Sequence, residues 1–335
     1  MKLFVTGGAG FIGSNYVRHV LANTDDSVTV FDALTYAGNL ANLADIADDP
    51  RYRFVHGDIC DRDVVTAAMA GHDAVVHFAA ESHVDRSILG PDVFVRTNCT
   101  GTNVICDVAR QIEVEAMVHI STDEVYGSID VGSFLEGDPL DPRSPYSAAK
   151  AGSDLIALSY HSTFDLPVRV TRSSNQFGPY QFPEKLIPYF ATTLMQGGNV
   201  PLYGDGLNVR DWLYVADNCV AVDLVLRQGT SGEIYNIGAD NERTNRELTD
   251  RVLALLGKDE SSVDYVEDRL GHDRRYSVNC DKVRALGWEG PTRPFADTLA
   301  DTIAFYVDRP DWRPPPMHRV KNRRPNPPRP KRTPE

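Results

Sequence analysis

The sequence predicts an α/β protein whose larger part is a doubly wound parallel sheet, and three observations carry that prediction. A short apolar strand at 2–6 runs into the glycine-rich turn Gly7-Gly-Ala-Gly10-Phe-Ile-Gly13 and then into an amphipathic helix reaching about Leu21. A second apolar strand at 27–32 ends on an acid, Asp32, which lies 19 residues beyond Gly13. Further strand candidates at 52–58, 73–80, 116–122 and 167–171 alternate with helical stretches, a spacing that requires crossover connections and hence parallel pairing.

Each element has a physical reason. Glycines at 7, 10 and 13 let the turn close, let the backbone approach a pyrophosphate and let helix pack on strand, while the helix N-terminus favours the phosphate charge. The spacing is G-x-x-G-x-x-G rather than the commoner G-x-G-x-x-G. Asp32 stands where a carboxylate accepts hydrogen bonds from an adenosine ribose and repels a 2′-phosphate, and no arginine follows it in 33–36, so NAD is expected rather than NADP. Asp58 and Ile59 are expected to border the adenine, and the small pair Ala79-Ala80 lets the backbone pass close to the dinucleotide. A helix is expected from about 91 to 110; because asparagine is a poor helix former, Asn98 within it is read as a bond holding the active site.

A net charge of −13 disfavours nucleic acid as a partner. Five cysteines, odd in number and without C-x-x-C spacing, argue against a disulfide framework or a zinc site, and no metal is expected. The opening apolar stretch is too short for a signal segment and no run reaches transmembrane length, so a cytoplasmic protein with no membrane partner is expected. Residues 1–175 read as the dinucleotide-binding Rossmann domain, with later segments returning to it. Residues 176–310 read as a smaller, mixed α/β, mainly substrate-binding domain. From 311 to 335 eight Lys or Arg face two acids among many prolines, a composition that reads as a disordered basic tail.

The chemistry is concentrated between Ser121 and Lys150. The sequence Ser121-Thr122-Asp123-Glu124 follows the apolar run 116–120, so its side chains sit at the carboxyl end of a buried strand, where open α/β sheets place ligands. Tyr146 and Lys150 lie four apart in a helix-like stretch from 147 to 164 and therefore face the same way. A lysine so placed is expected to lower the tyrosine pKa and make the phenol a usable base. Such a pair alone is weak evidence, but a nucleotide fold and a Thr-Asp-Glu loop before it strengthen the reading. Beyond 175, Lys185, Arg210, Arg269, His272 and Arg274 supply cations in an acidic chain, which suits a phosphate-bearing substrate.

On these residues the chain resembles the nucleotide-sugar-modifying branch of the extended short-chain dehydrogenases/reductases, and within it the dTDP-glucose 4,6-dehydratases. The resemblance runs from residue 1 to about 310 and is carried by TGGAGFIGSN (6–15), LTYAGN (34–39), AAESHVDRSI (79–88), STDEVYG (121–127), YSAAK (146–150), GPYQFPEKLIP (178–188), RDWLYV (210–215), YNIG (235–238) and GHDRRY (271–276). It implies a lyase that converts dTDP-glucose to a 4-keto-6-deoxy sugar with tightly bound NAD. Thr122, Asp123, Glu124, Tyr146 and Lys150 are its implied catalytic group. Phe11, Ile12, Leu34, Thr35, Phe78, Ser82, Thr97 and Gln176 join the cofactor site by the same resemblance, with Tyr146 and Lys150 reaching it too. Ser82, Thr122, Asn175, Lys185, Leu186, Pro201, Tyr203, Arg210, Asn245, Arg269 and His272 are implied to meet the dTDP-sugar. A homodimer through the helices of 91–110 and 147–164 is also implied.

Gln176 departs from the family, which has a second asparagine there; the linker between Gly127 and Tyr146 is short, and the basic tail is not a family feature. Two other readings stand beside this one: an NAD-dependent 4-epimerase or dehydratase of another nucleotide sugar, and a dinucleotide-binding sensor without turnover. Acidic residues at both 123 and 124 argue for the dehydratase, because an epimerase needs no acid pair.

Overall fold

The computed structural model describes residues 1–268 and 272–309. Seven parallel strands form the main sheet: β1 (Lys2–Thr6), β2 (Ser27–Asp32), β3 (Tyr52–His56), β4 (Ala74–His77), β5 (Ala116–Thr122), β6 (Val168–Ser173) and, after an excursion through the smaller region, β10 (Ile234–Ile237). Their order is β10-β6-β5-β4-β1-β2-β3, so the winding reverses between β1 and β4. That reversal opens a crevice at the carboxyl ends of the strands. The excursion supplies β7 (Asn175–Phe177), β8 (Val200–Tyr203) and β9 (Val209–Tyr214); β11 (Glu242–Thr244) and β12 (Val263–Val266) complete two small sheets ordered β11-β9-β7 and β12-β8. The fold is the expected Rossmann-type sheet with a smaller mixed part. The basic stretch from 311 onward and Arg269 lie outside the described residues.

Alternation along the strands explains the layers. In β1, Leu3 and Val5 enter one apolar cluster with the helices Phe11–Asn23 and Val215–Gln228, while Phe4 enters the other with Thr102–Gln111 and Pro145–Phe164. Burial of each such side chain contributes roughly 1.5–3 kcal/mol. A third cluster, around Phe177, Phe190, Trp212, Leu248 and Tyr306, is the core of the smaller region.

Two helices need comment because they position the chemistry. Pro145–Phe164 starts with a capping box, Ser144 and Ser147 each satisfying the other's backbone amide with Pro145 at the first position, and ends at Asp165 in the left-handed conformation. It therefore begins one residue before Tyr146 and presents that side chain from its first turn. The expected helix over 91–110 is not regular: it is an α-turn at Asp92–Phe94, a π-helical stretch at Val95–Gly101 and an α-helix at Thr102–Gln111. The wider turn carries buried Asn98, whose Oδ1 accepts from the Glu81 amide at 2.8 Å and whose Nδ2 donates to the Glu81 carbonyl at 3.0 Å. Asn98 thus pins the strand-end loop that borders the cleft, as a polar residue in a helix interior suggested.

Candidate active site

The crevice is a cleft of about 830 Å³ that runs from the glycine turn across the ends of β4, β5 and β6 to the smaller sheets. Its first end is closed by backbone. Gly7 has φ +69°, and a Cβ there would lie 2.6 Å from the Ala79 nitrogen; at Gly13 it would lie 2.3 Å from the Gly7 carbonyl. The helix that follows begins at Phe11 with no side chain capping its first amides, leaving them for an anion. Asp32 accepts from the Ala9 amide at 3.0 Å and the Leu34 amide at 2.8 Å, one on each oxygen, and lines the cleft with acceptor capacity to spare. Burial raises its pKa, and the two amides oppose that rise.

The sequence-predicted cofactor residues line the cleft together, with two exceptions. Leu34 takes a left-handed backbone conformation, φ 49°, and serves through its amide on Asp32. Lys150 is buried behind Tyr146, its Nζ donating to the Ile120 carbonyl at 2.5 Å. Among the substrate positions, Ser82, Asn175, Lys185, Leu186, Pro201, Tyr203, Arg210, Asn245 and His272 line the far end.

Between the two ends β5 delivers Thr122, Asp123 and Glu124. The Thr122 hydroxyl donates to Asp123 Oδ1 at 3.3 Å and accepts from the Glu124 amide, fixing a single 3₁₀ turn. Asp123 is buried and Glu124 half-buried, so two adjacent carboxyls have different surroundings. Burial and then the neighbouring Glu124 charge push Asp123 well above the usual carboxylate range. Its Oδ2, with Ser121 Oγ, Asn175 Oδ1 and Gln176 Oε1, is buried without a hydrogen-bond partner among the described residues. Buried polar atoms so placed fit a polar ligand in the cleft.

Tyr146 corrects one expectation. Its phenol is held well above the usual value by burial first and by the Glu124 charge next, while a hydrogen bond with Thr122 pulls the other way. These influences outweigh the lowering expected from Lys150, whose own pKa burial brings down to about 8. Arg210 is also committed: its guanidinium donates to the carbonyls of Val209 and Asp273 at 2.7 and 2.9 Å and stacks 4.2 Å from the Tyr276 ring.

The structure adds wall residues whose motifs alone assigned them no role. Tyr36 packs edge-on to Phe182 at 5.6 Å, lies under the Arg86 guanidinium at 3.5 Å and hydrogen-bonds Glu184. Burial raises Glu184, and His83, 4.0 Å from it, is lowered to about 4 by burial and then by the Lys185 charge. Lys185 itself donates to the Ser82 carbonyl at 2.8 Å. Tyr276 reaches the cleft near Glu124 and donates to Asp273 at 2.7 Å.

A doubly wound sheet that closes a glycine turn against one end of a cleft, with a Tyr-x-x-x-Lys helix at its middle, defines a member of the short-chain dehydrogenase/reductase class. A family model described as GDP-mannose 4,6 dehydratase matches residues 4–302, and the chain belongs to that family. Within it, the chain is 56% identical over 319 residues to a dTDP-glucose 4,6-dehydratase of Streptomyces antibioticus, covering 93% of this chain and 94% of that protein. It is 53% identical to the low-salt glycan biosynthesis protein Agl12 of Haloferax volcanii, covering 92% and 99%. Among solved structures, the dTDP-glucose 4,6-dehydratase DesIV of Streptomyces venezuelae, with NAD and dTDP bound, superposes with a TM-score of 0.91 at 56% identity, covering 93% and 98%. A UDP-glucose 4-epimerase of Thermus thermophilus in complex with NAD gives 0.85 at 31% identity, covering 92% and 99%.

Proposed function

We propose that the chain is an NAD-dependent lyase that removes water from dTDP-glucose to give dTDP-4-keto-6-deoxyglucose. The observation that carries this reading is the pair Asp123 and Glu124 at the end of β5 beside Tyr146: one carboxyl buried with an oxygen that has no hydrogen-bond partner among the described residues, the other half-buried. An epimerase of similar fold needs a base and a dinucleotide, and an adjacent acid–base pair would be idle in it. The identity to dehydratases exceeds that to the epimerase, which supports the same choice.

The C5 hydrogen of a hexose is not acidic until C4 is a ketone, so the residues act in order. Tyr146, hydrogen-bonded to Thr122, takes the proton of the C4 hydroxyl: the Lys150 ammonium and the positive nicotinamide ring of bound NAD would favour the phenolate that burial and the Glu124 charge otherwise disfavour. NAD, held by the glycine turn and Asp32, supplies a positively charged hydride acceptor for the C4 hydrogen and gives the same hydride back at C6, leaving no net redox change. Glu124 removes the C5 proton, and Asp123 gives its proton to the departing C6 hydroxyl, which leaves as water. A proton then returns to C5. Lys185 and Arg210 bring cationic groups to the diphosphate end of the substrate.

Glu124→Gln tests the reading directly. Incubation with dTDP-glucose is expected to stop after C4 oxidation, so enzyme-bound NADH absorbance accumulates while formation of the 4-keto-6-deoxy product, followed by mass spectrometry as loss of water, drops about 10²–10⁴-fold. Normal turnover in this variant would overturn the dehydratase reading. The pH dependence follows from Asp123. Burial and the Glu124 charge raise its pKa above the usual carboxylate range, so the acid holds its proton to higher pH than an ordinary carboxyl does, and the rate of water loss falls as pH rises through that raised value.

The division of labour we infer is that residues 1–175, with the helix Val215–Gln228 and β10, carry the cofactor, and that 176–310 mainly carry the substrate. Exposed Leu89, Val93, Val95 and Leu155 lie on or beside the helices of 92–111 and 145–164 and support a homodimer through that face, which sedimentation would test. Among the described residues no helix is long and apolar enough to cross a membrane. Five free cysteines suit a reducing cytoplasm.

A further inference from the structure

Behind Tyr146 and outside the cleft wall lies a buried polar cluster that the chemistry above does not use. Asp154 is fully buried on the helix Pro145–Phe164, four residues after Lys150, so the two side chains leave the same face of the helix. Arg172 on β6 donates from Nε to Asp154 Oδ2 at 3.0 Å. The other oxygen, Oδ1, lies 3.4 Å from His119 Nε2 on β5, but that nitrogen is bonded to Ser153 Oγ at 3.0 Å, so Oδ1 is left without a hydrogen bond of normal length. Ser153 in turn donates to the Lys150 carbonyl at 2.7 Å. A buried carboxylate is costly unless its charge is used, and here one oxygen is matched by Arg172 while the other is not.

We propose that Asp154 is a positioning residue for the reaction: its carboxylate is the counter-charge that keeps Lys150 an ammonium behind Tyr146. The inference rests on the assignment of Tyr146 and Lys150 in the proposed function, and it adds a third member to that pair. The groups facing Lys150 and Asp154 from the surrounding elements are His77 on β4, His119 on β5, Arg172 on β6 and Cys99 on the π-helical turn. Burial keeps both histidines neutral, His119 down to about 4, so they add no cation at working pH. Burial lowers Lys150 to about 8 and Asp154 opposes that lowering, which leaves the ammonium poised close to neutrality.

The test is Asp154→Asn, with Asp154→Glu as the conservative variant. Without the carboxylate the lysine pKa falls further, so the alkaline limb of the kcat profile moves acid-ward by about one pH unit or more. Turnover at pH 8 drops about fivefold or more with KM little changed, and Asp154→Glu restores most of it. A purely structural role would lower activity at every pH alike. Thermal unfolding of the whole chain gives a readout independent of turnover. Lys150 titrates lower in the folded protein than in the unfolded chain, so stability rises with pH once the folded protein begins to lose that proton. In Asp154→Asn this rise starts earlier, and the stability gap to the unmodified protein narrows between pH 6 and 8. Parallel stability curves with an unmoved alkaline limb would overturn the proposal. Should Asp154→Asn not fold, Arg172→Gln carries the test with the opposite sign through the aspartate: freed of the guanidinium, the carboxylate has Lys150 as its remaining cation, and a limb that fails to move alkaline refutes the coupling. If the stability curves shift while Tyr146→Phe retains full turnover, the coupling stands and the catalytic assignment falls.

Discussion

The turn at residues 7–13 and the wall built from residues 175–276 face one cleft, yet they are fixed by different constraints. The turn is fixed by backbone meeting backbone: a Cβ at Gly13 would press on the Gly7 carbonyl and the Gly8 Cα, atoms six and five residues away. The wall is fixed by side chains that reach far along the chain, Lys185 to the Ser82 carbonyl across 103 residues and Arg210 to the Asp273 carbonyl across 63. Contacts between neighbouring backbone atoms cannot be exchanged for others, whereas long-range side-chain contacts can be redrawn. Binding of the dinucleotide is therefore expected to fail abruptly on mutation, and binding of the sugar nucleotide to fail by degrees.

The largest effect is expected at Gly13→Ala. The added carbon would sit 2.3 Å from an oxygen and 2.8 Å from a Cα, neither of which is the flexible end of a side chain. Overpacking of this kind costs on the order of 3 kcal/mol, so retention of NAD is expected to weaken about 100-fold, measured as NAD content of the purified protein and by calorimetric titration. Undiminished NAD content would break the comparison at its stronger side. A smaller loss is expected for Arg210→Lys. The ammonium keeps the charge but not the planar fork that meets two carbonyls and lies on the Tyr276 ring. KM for dTDP-glucose is expected to rise about tenfold, or roughly 1.4 kcal/mol, with NAD content unchanged. A loss of NAD in this variant would show that the two ends of the cleft are not separately held.

The same contrast explains what could be read from the chain alone. The strand, glycines, helix and terminal acid of the first 32 residues form a local pattern, and the structure brings Gly7, Gly10, Gly13 and Asp32 to one end of the cleft as that pattern required. The Thr-Asp-Glu loop and Tyr146 were legible for the same reason, as short motifs at a strand end and a helix start. What could not be read was the electrostatic balance. The spacing of Tyr146 and Lys150 gave their shared direction but not the burial and the Glu124 charge that raise the phenol against the Thr122 hydrogen bond. Nor did spacing disclose Tyr36, Arg86 and Glu184, which meet only because loops from separate parts of the chain converge. Asn98 is the intermediate case: its poor helix propensity marked it, while its partner, the Glu81 backbone, became visible only in three dimensions.

The Tyr36 contact sharpens the comparison at its weak limit, because it joins the two sides. Its ring belongs to the loop after β2, which begins beside Asp32, and its hydroxyl meets Glu184 on the other side of the cleft. Tyr36→Phe leaves the ring between Arg86 and Phe182 and removes only the hydroxyl. One hydrogen bond to a carboxyl in a half-buried place is worth about 1 kcal/mol, so a rise of about fivefold in KM for the sugar nucleotide is expected, with NAD content intact. Because loss of the hydroxyl leaves Glu184 buried with one partner fewer, its pKa, raised by burial and lowered by this bond, moves up. The KM defect should therefore deepen toward acid, as Glu184 takes up a proton sooner than in the unmodified enzyme. A defect that is instead flat with pH would place Tyr36 among the simple packing residues of the cofactor loop, and the hydrogen bond would count for nothing in joining the two sides.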